Sequence, residues 1–188
     1  MAHLLASPGG WAVPPLPADT VARERVLDHL AAHPEAHCVL AAAPAGYGKS
    51  TTLAGLAARD SRPSAWLALG PADRDPTALI ARILLALDAL EPLDDHAFKS
   101  LLLSAADLTT VRLPRFAALL ERRHPCILVL DDAHVLDTDA TREILRALVE
   151  HIADGSLVAI ATRDPRPLGL ARARARGRVI DIGVADLT

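Results

Sequence analysis

The chain is predicted to fold as an α/β domain, a parallel sheet enclosed between helical layers, from three features of its sequence. Short, continuously apolar runs of strand length recur along it, separated by segments with helical periodicity. A Gly-rich turn at 43–51 joins the first of these runs to a helical pattern. The third run ends in two adjacent carboxylates, Asp131 and Asp132. Strands alternating with helices imply parallel pairing, with helices on both faces of the sheet. In such sheets ligands sit at the carboxyl ends of the strands. A length of 188 residues suits one domain with a substantial core.

Residues 1–18 hold four prolines and the Gly9-Gly10 pair and read as a flexible N-terminal arm or an extended lead-in, leaving 19–188 as the domain proper. Asp19 or Thr20 can cap a helix through Val21, Val26, Leu27 and Leu30 that ends before Pro34. His37 to Ala43 is a continuous apolar run, as expected of a strand covered on both faces. Ser50 to Arg59 reads as the helix entered from the Gly-rich turn. Ser64 to Leu69 is a second strand, stopped by Gly70-Pro71. Asp75-Pro76 supplies an N-cap and a first-turn proline for a helix whose inner face is Leu79, Ile80, Ile83, Leu84, Leu87 and Leu90. One or two helices fill 94–124, the last ending in Arg122-Arg123-His124-Pro125, since basic residues before a proline suit a helix C-terminus. Cys126 to Leu130 is a third strand. A helix over 140–153 turns Ile144, Leu145, Leu148, Val149 and Ile152 inward. Leu157 to Ala161 and Arg178 to Ile182 complete five strands.

Composition narrows the class. Apolar residues make up 51% and charged residues 23%, which favours a folded chain over disorder. Aromatics reach only 3%, so the core is expected to be aliphatic. A net charge of −3 supplies no global basic field for nucleic acid. Cys38 and Cys126 each begin a strand-like run and read as buried, reduced thiols. No apolar stretch approaches the ~20 residues that cross a bilayer, and the N-terminus lacks the basic start of a signal peptide. A cytoplasmic location follows, with no membrane partner.

Lys49 is one of only two lysines in an arginine-rich chain, the other being Lys99. A compact ammonium on a flexible stem reaches phosphates where a planar guanidinium fits poorly. Around it, Pro44, Ala45, Gly46, Tyr47, Gly48, Lys49, Ser50 and Thr51 form the expected nucleotide-binding loop. Glycines there let backbone N–H groups turn inward onto an anion. Lys49 is expected on the β- and γ-phosphates, the Ser50 hydroxyl on Mg²⁺, and Thr51 near the α-phosphate. Ala43 stands where the pattern G-x4-G-K-[ST] has glycine. Asp131 would hold Mg²⁺, directly or through water, and Asp132 would orient or deprotonate the attacking water. The alternative for this pair is a solvated turn. His134 reads as structural or supporting rather than catalytic. Arg163, after the fourth strand, is placed to sense a γ-phosphate or else to form a surface ion pair. The alternating Ala-Arg segment 171–176 has no single basic stripe and no interleaved aromatics, and reads as a solvated helix.

These segments together resemble one family. Ala43-Pro-Ala-Gly-Tyr-Gly-Lys-Ser-Thr51, Ala65-Trp-Leu-Ala-Leu69 with Asp73-Arg-Asp-Pro76, Leu128-Val-Leu-Asp-Asp-Ala-His134, and Ala159-Ile-Ala-Thr-Arg-Asp-Pro165 with Leu170-Ala-Arg-Ala-Arg-Ala-Arg-Gly177 are similar to the MalT-like, large LuxR-type ATP-dependent transcriptional regulators of the STAND class of P-loop NTPases. The likeness runs from about Val21 to Leu187. It implies a three-layer P-loop fold with strand order 5-1-4-3-2 and a lead-in, holding Arg23 and Arg25, that helps enclose the adenosine. It also implies an ATP/ADP switch with Mg²⁺: the ATP form self-associates in the full-length protein, and slow hydrolysis resets it. By this likeness Lys49, Asp132 and Arg163 are the catalytic set, and Ser50 and Asp131 hold the metal. Adenine over guanine follows from the resemblance, as no Asn/Thr-Lys-x-Asp segment is present. Members of the family continue into sensor repeats and a helix-turn-helix. With the sequence ending at Thr188, DNA binding and inducer sensing are not expected of these residues. A free-standing small ATPase or kinase, or a non-hydrolysing module held together by nucleotide, are the other readings.

Overall fold

The computed structural model describes residues 10–16, 26, 28, 29, 32, 33, 35–102, 106–165 and 168–187. The expected lead-in helix, its caps at Asp19 or Thr20, and Arg23 and Arg25 lie largely outside those residues. Five strands form one parallel sheet: β1 (Cys38–Ala42), β2 (Ser64–Ala68), β3 (Ile127–Asp131), β4 (Leu157–Thr162) and β5 (Val179–Ile182). Their order is β2-β3-β4-β1-β5, which is 5-1-4-3-2 read from the other edge. Six α-helices are described: α1 (Lys49–Arg59), α2 (Pro76–Leu90), α3 (Asp95–Leu102), α4 (Leu113–Leu120), α5 (Asp139–His151) and α6 (Ala171–Ala175).

The strands are continuously apolar because both faces are covered. On one face Val39, Ala41, Trp66, Val129, Ala159, Ala161, Ile180 and Ile182 pack with Leu53, Ala54, Leu56 and Ala57 of α1. On the other, Leu40, Leu67, Leu128, Leu130, Val158 and Ile160 meet the apolar faces of α2, α4 and α5. Alternate residues serve opposite layers, as the period of a strand requires. Cys38 and Cys126 are buried free thiols, and burial raises the pKa of each.

Helix starts follow the sequence signals closely. The Asp75 carboxylate accepts the Ala78 N–H at the start of α2. The Thr138 hydroxyl accepts the Thr141 N–H at the start of α5. The region 94–124 departs from expectation. Its last helix ends at Leu120, preceded by a single π-helical turn over 108–112. Arg122, Arg123 and His124 therefore lie beyond it, and Arg123 caps a different helix, donating to the Leu87 and Glu91 carbonyls at the end of α2. A cation is favourable at the C-terminus of either helix, so the local signal could not choose between them.

Within the expected N-terminal arm, residues 10–16 are docked rather than loose. The Trp11 carbonyl accepts the Trp66 N–H at 2.9 Å along the free edge of β2. Trp11 packs against the α2 side of the core and Val13 against the α1 side, while the Leu16 side chain lies against Gly55 of α1. The segment thus crosses the sheet edge from one helical layer to the other, satisfying an edge N–H that would otherwise face solvent.

Candidate functional site

Because all five strands are parallel, the loops after β1, β3 and β4 emerge on one side of the sheet. The turn after β1 is shaped by Gly46 (φ +85°) and Gly48 (φ +75°), both in the left-handed region. At Gly46 a Cβ would meet nothing within 4 Å, so conformation, not crowding, requires glycine there. Gly48 is the N-cap of α1, which has no capping side chain and no acidic residue in its first turn. Its first-turn amides are thus left to an external acceptor, and the helix dipole favours an anion there.

Lys49 is buried, and its Nζ donates to the carbonyls of Ala43 at 2.7 Å and Pro44 at 2.8 Å. The ammonium is folded back over the loop it belongs to. Pro44, Ala45, Gly46 and Tyr47 are exposed along the turn, Gly48 and Ser50 are half-buried, and Thr51 is exposed on α1. Ala43, where the pattern has glycine, is buried and its carbonyl accepts a hydrogen bond from the Lys49 ammonium, a role indifferent to the side chain.

Ser50 Oγ donates to Asp131 Oδ1 at 2.9 Å, joining the start of α1 to the end of β3. Asp131 also accepts the Asp132 N–H at 3.0 Å. Burial raises the Asp131 pKa, opposed by the Ser50 hydroxyl and reinforced by the neighbouring Asp132 charge. A raised native pKa means the folded state holds its proton longer than the unfolded chain. The stabilisation is complete below the ordinary carboxylate range and is lost as pH rises through the raised value. Asp131→Asn keeps an acceptor for Ser50 and removes this loss. Its melting temperature without nucleotide is expected to exceed wild type at pH 7 and to converge with it towards pH 4, as read by thermal scans across that range.

Asp132 adopts φ +57°, and among the described residues it is the non-glycine residue with positive φ. Its exposed carboxylate lies 3.6 Å from His134 Nδ1, an ion-pair distance when the imidazole is protonated. That Nδ1 is otherwise buried without a hydrogen-bond partner. Arg163 follows Thr162, which pairs in register with Ala42 at the mouth of the Gly-rich turn. Its side chain is exposed. The structure thus joins Ser50 to Asp131 directly, sets Lys49 one residue from Ser50, and leaves Arg163 on the adjacent strand end without contact to them. In 171–176, Arg172 and Arg176 are exposed and Arg174 pairs with Asp181 of β5 at 2.8 Å.

One cluster near the site is absent from the sequence reading. Asp73 is 0% exposed and is hydrogen-bonded to Arg82 Nη1, while Arg82 is 9% exposed and donates through Nη2 to the Ala68 carbonyl at 2.9 Å. The Trp11 ring lies over the guanidinium, 5.9 Å from its carbon to the ring centroid. The signal was a single arginine inside the apolar run Leu79-Ile-Ala-Arg-Ile-Leu-Leu85.

Comparison with known proteins agrees with this geometry. The family model described as AAA ATPase domain matches residues 20–160. The HTH-type transcriptional regulator MalT of Vibrio campbellii is 31% identical over 174 residues, covering 88% of this chain and 18% of that protein. Its counterpart in Yersinia enterocolitica is 32% identical over 177 residues, covering 90% and 19%. The chain therefore spans less than a fifth of the length of these relatives. Among solved structures, Drosophila ORC bound to AT-rich DNA and Cdc6 aligns with TM-score 0.54 at 8% identity, covering 86% of this chain and 53% of that one. Drosophila ORC bound to DNA gives 0.51 at 9%, covering 86% and 88%. At such identity these likenesses concern the fold alone. No helix among the described residues is long and apolar enough to cross a membrane. With the uncapped helix after β1, the paired carboxylates after β3 and a family match across most of its length, the chain belongs to the AAA ATPase domain family and is MalT-like in sequence.

Proposed function

We propose that this domain is the ATP-binding, slowly ATP-hydrolysing switch of a MalT-type transcriptional regulator in the cytoplasm. In this reading ATP favours self-association of the full-length protein and hydrolysis to ADP reverses it. DNA is contacted only through a region outside this sequence. The observation that carries the proposal is the junction of the uncapped α1 N-terminus with the end of β3 through Ser50 and Asp131.

The residues fit Mg²⁺. Two hard oxygen donors, Ser50 Oγ and Asp131 Oδ1, stand 2.9 Å apart. Hard oxygen donors brought together from two elements would suit a hard cation, held by Asp131 directly or through water. When bound, the ion would offset phosphate charge. Backbone N–H groups of the loop, from Gly46 onward, bind the phosphates. Lys49 exchanges its two carbonyl contacts for β- and γ-phosphate oxygens. Asp132, exposed at the strand end, orients the attacking water and accepts its proton. Arg163 meets the charge on the γ-phosphate from the adjacent strand end.

Equilibrium nucleotide binding followed by single-turnover hydrolysis tests this. Asp132→Asn is expected to hold ATP as wild type does and to cleave it at least ~100-fold more slowly, the usual contribution of a positioned base. If the wild type binds nucleotide without cleaving it, the domain is a nucleotide-held interaction module. Turnover that requires a phosphate acceptor would make it a kinase.

A further inference from the structure

The buried Arg82–Asp73 pair lies outside the phosphate-binding turn, yet it is tied to the end of β2 beside Asp131. Arg82 comes from the inner face of α2, between Leu79 and Ile83, where both neighbours are fully buried. Asp73 lies in the short 3-10 turn Pro71–Arg74 between β2 and α2. Its Oδ2 accepts both the Arg82 guanidinium and the Gly70 N–H, the latter at 2.7 Å, and its Oδ1 is buried without a hydrogen-bond partner. Ion pairs this deep are held by geometry rather than rewarded by solvent, and placing one here fixes whatever it is bonded to.

What it is bonded to is the last residue of β2. Arg82 Nη2 grips the Ala68 carbonyl, and Ala68 stands opposite Asp131 in the β2–β3 register. The next amide, Leu69 N–H, donates to the Asp131 carbonyl at 3.0 Å. From Asp131 the connection passes through its Oδ1 to Ser50. A second tie runs alongside, as Arg74 from the same turn pairs at 3.0 Å with Asp137, beyond the β3 end. Trp11 closes the outer side, its ring over Arg82 and its carbonyl on the Trp66 N–H.

We infer that Arg82 and Asp73 are positioning residues for the metal-binding carboxylate Asp131, acting through Ala68 and Leu69, with Trp11 of the N-terminal segment shielding the pair from water. The inference rests on the ATPase reading for its consequence and on the contacts alone for its geometry. Neither residue touches nucleotide; they set where the end of β3 stands relative to α1. Outer contacts of this kind alter metal affinity or activity by about 10–100-fold when removed.

The test uses Asp73→Asn with Arg82→Gln, which neutralises both partners so that no charge is left orphaned, and Trp11→Ala as an independent variant. In the nucleotide-free protein, amide exchange at Leu69 is expected to accelerate about tenfold in the double variant, the scale of one lost hydrogen bond to a charged group. Exchange at Val39 and Leu40 in β1 stays unchanged. With nucleotide, ADP affinity without Mg²⁺ stays at the wild-type value, while its enhancement by Mg²⁺ falls by about tenfold. Trp11→Ala moves both readouts in the same direction by less. Unchanged Leu69 exchange, or equal acceleration in every strand, overturns the inference, as does an undiminished Mg²⁺ enhancement. If Leu69 loosens locally but the wild type binds no nucleotide, the ATPase reading falls and the positioning of the strand end stands.

Discussion

Lys49→Ala is expected to lose nucleotide binding by a factor of 100 or more while the domain still folds. The ammonium is buried with its Nζ on two carbonyls of the phosphate-binding turn, and those contacts give way to phosphate oxygens when nucleotide binds. Charge-assisted hydrogen bonds contribute about 1.5–3 kcal/mol each. Losing two of them to phosphate oxygens costs about 3–6 kcal/mol, or roughly 10²–10⁴ in affinity. Lys49→Arg is not expected to rescue, since a planar guanidinium presents its donors in a fixed fork where the lysine offers a compact point charge on a flexible stem. Titration with a fluorescent ATP analogue measures the loss, and circular dichroism separates it from unfolding. Wild-type affinity in the alanine variant would place the nucleotide elsewhere.

Arg82→Met is expected to be the most destabilising single change near the site. Arg82 is 9% exposed on a helix face it shares with the fully buried Leu79 and Ile83, and methionine is an apolar side chain of similar length for that setting. What methionine cannot replace is the counter-charge of Asp73, which is fully buried. Breaking a buried pair by removing one partner costs about 3–5 kcal/mol. In a domain of this size that corresponds to a fall in melting temperature of roughly 6–20 °C. Adding Asp73→Asn should restore much of it, because the orphaned charge is then gone. A thermal scan of the single and double variants reads the difference. Equal melting temperatures for Arg82→Met and wild type would mean that the pair adds nothing to stability.

The reach of the sequence is clearest where chemistry is local. Strand positions were legible because a strand covered on both faces must be apolar at every residue, as in Val39-Leu-Ala41. Helix α2 was legible because Asp75-Pro76 marks its first turn chemically. The strand order came only with the family likeness, since nothing in the runs themselves says which strand lies next to which. Local signals failed where a residue serves a distant partner. Arg123 has the look of a C-terminal cap for its own helix and caps α2 instead. Asp73 sits in the polar stretch Asp73-Arg-Asp75, where nothing local marks it as buried, yet it is wholly buried and bonded to Arg82, nine residues on. The same limit applies to the candidate site. Gly46, Gly48, Lys49 and Ser50 are adjacent in the chain, so their pattern is visible at once. The contact of Ser50 with Asp131 spans 81 residues and needs the fold to bring it about.

The docking of Trp11 on the β2 edge has an optical consequence. The chain contains two tryptophans, Trp11 and Trp66, and a single backbone hydrogen bond joins them. All indole emission from the native protein therefore originates at one border of the sheet, with one ring stacked on a cation and the other inside the α1 layer. Aromatic scarcity, which made the core aliphatic, also leaves this border as a built-in reporter: without any label, the colour of the fluorescence tells whether the N-terminal segment is seated or released.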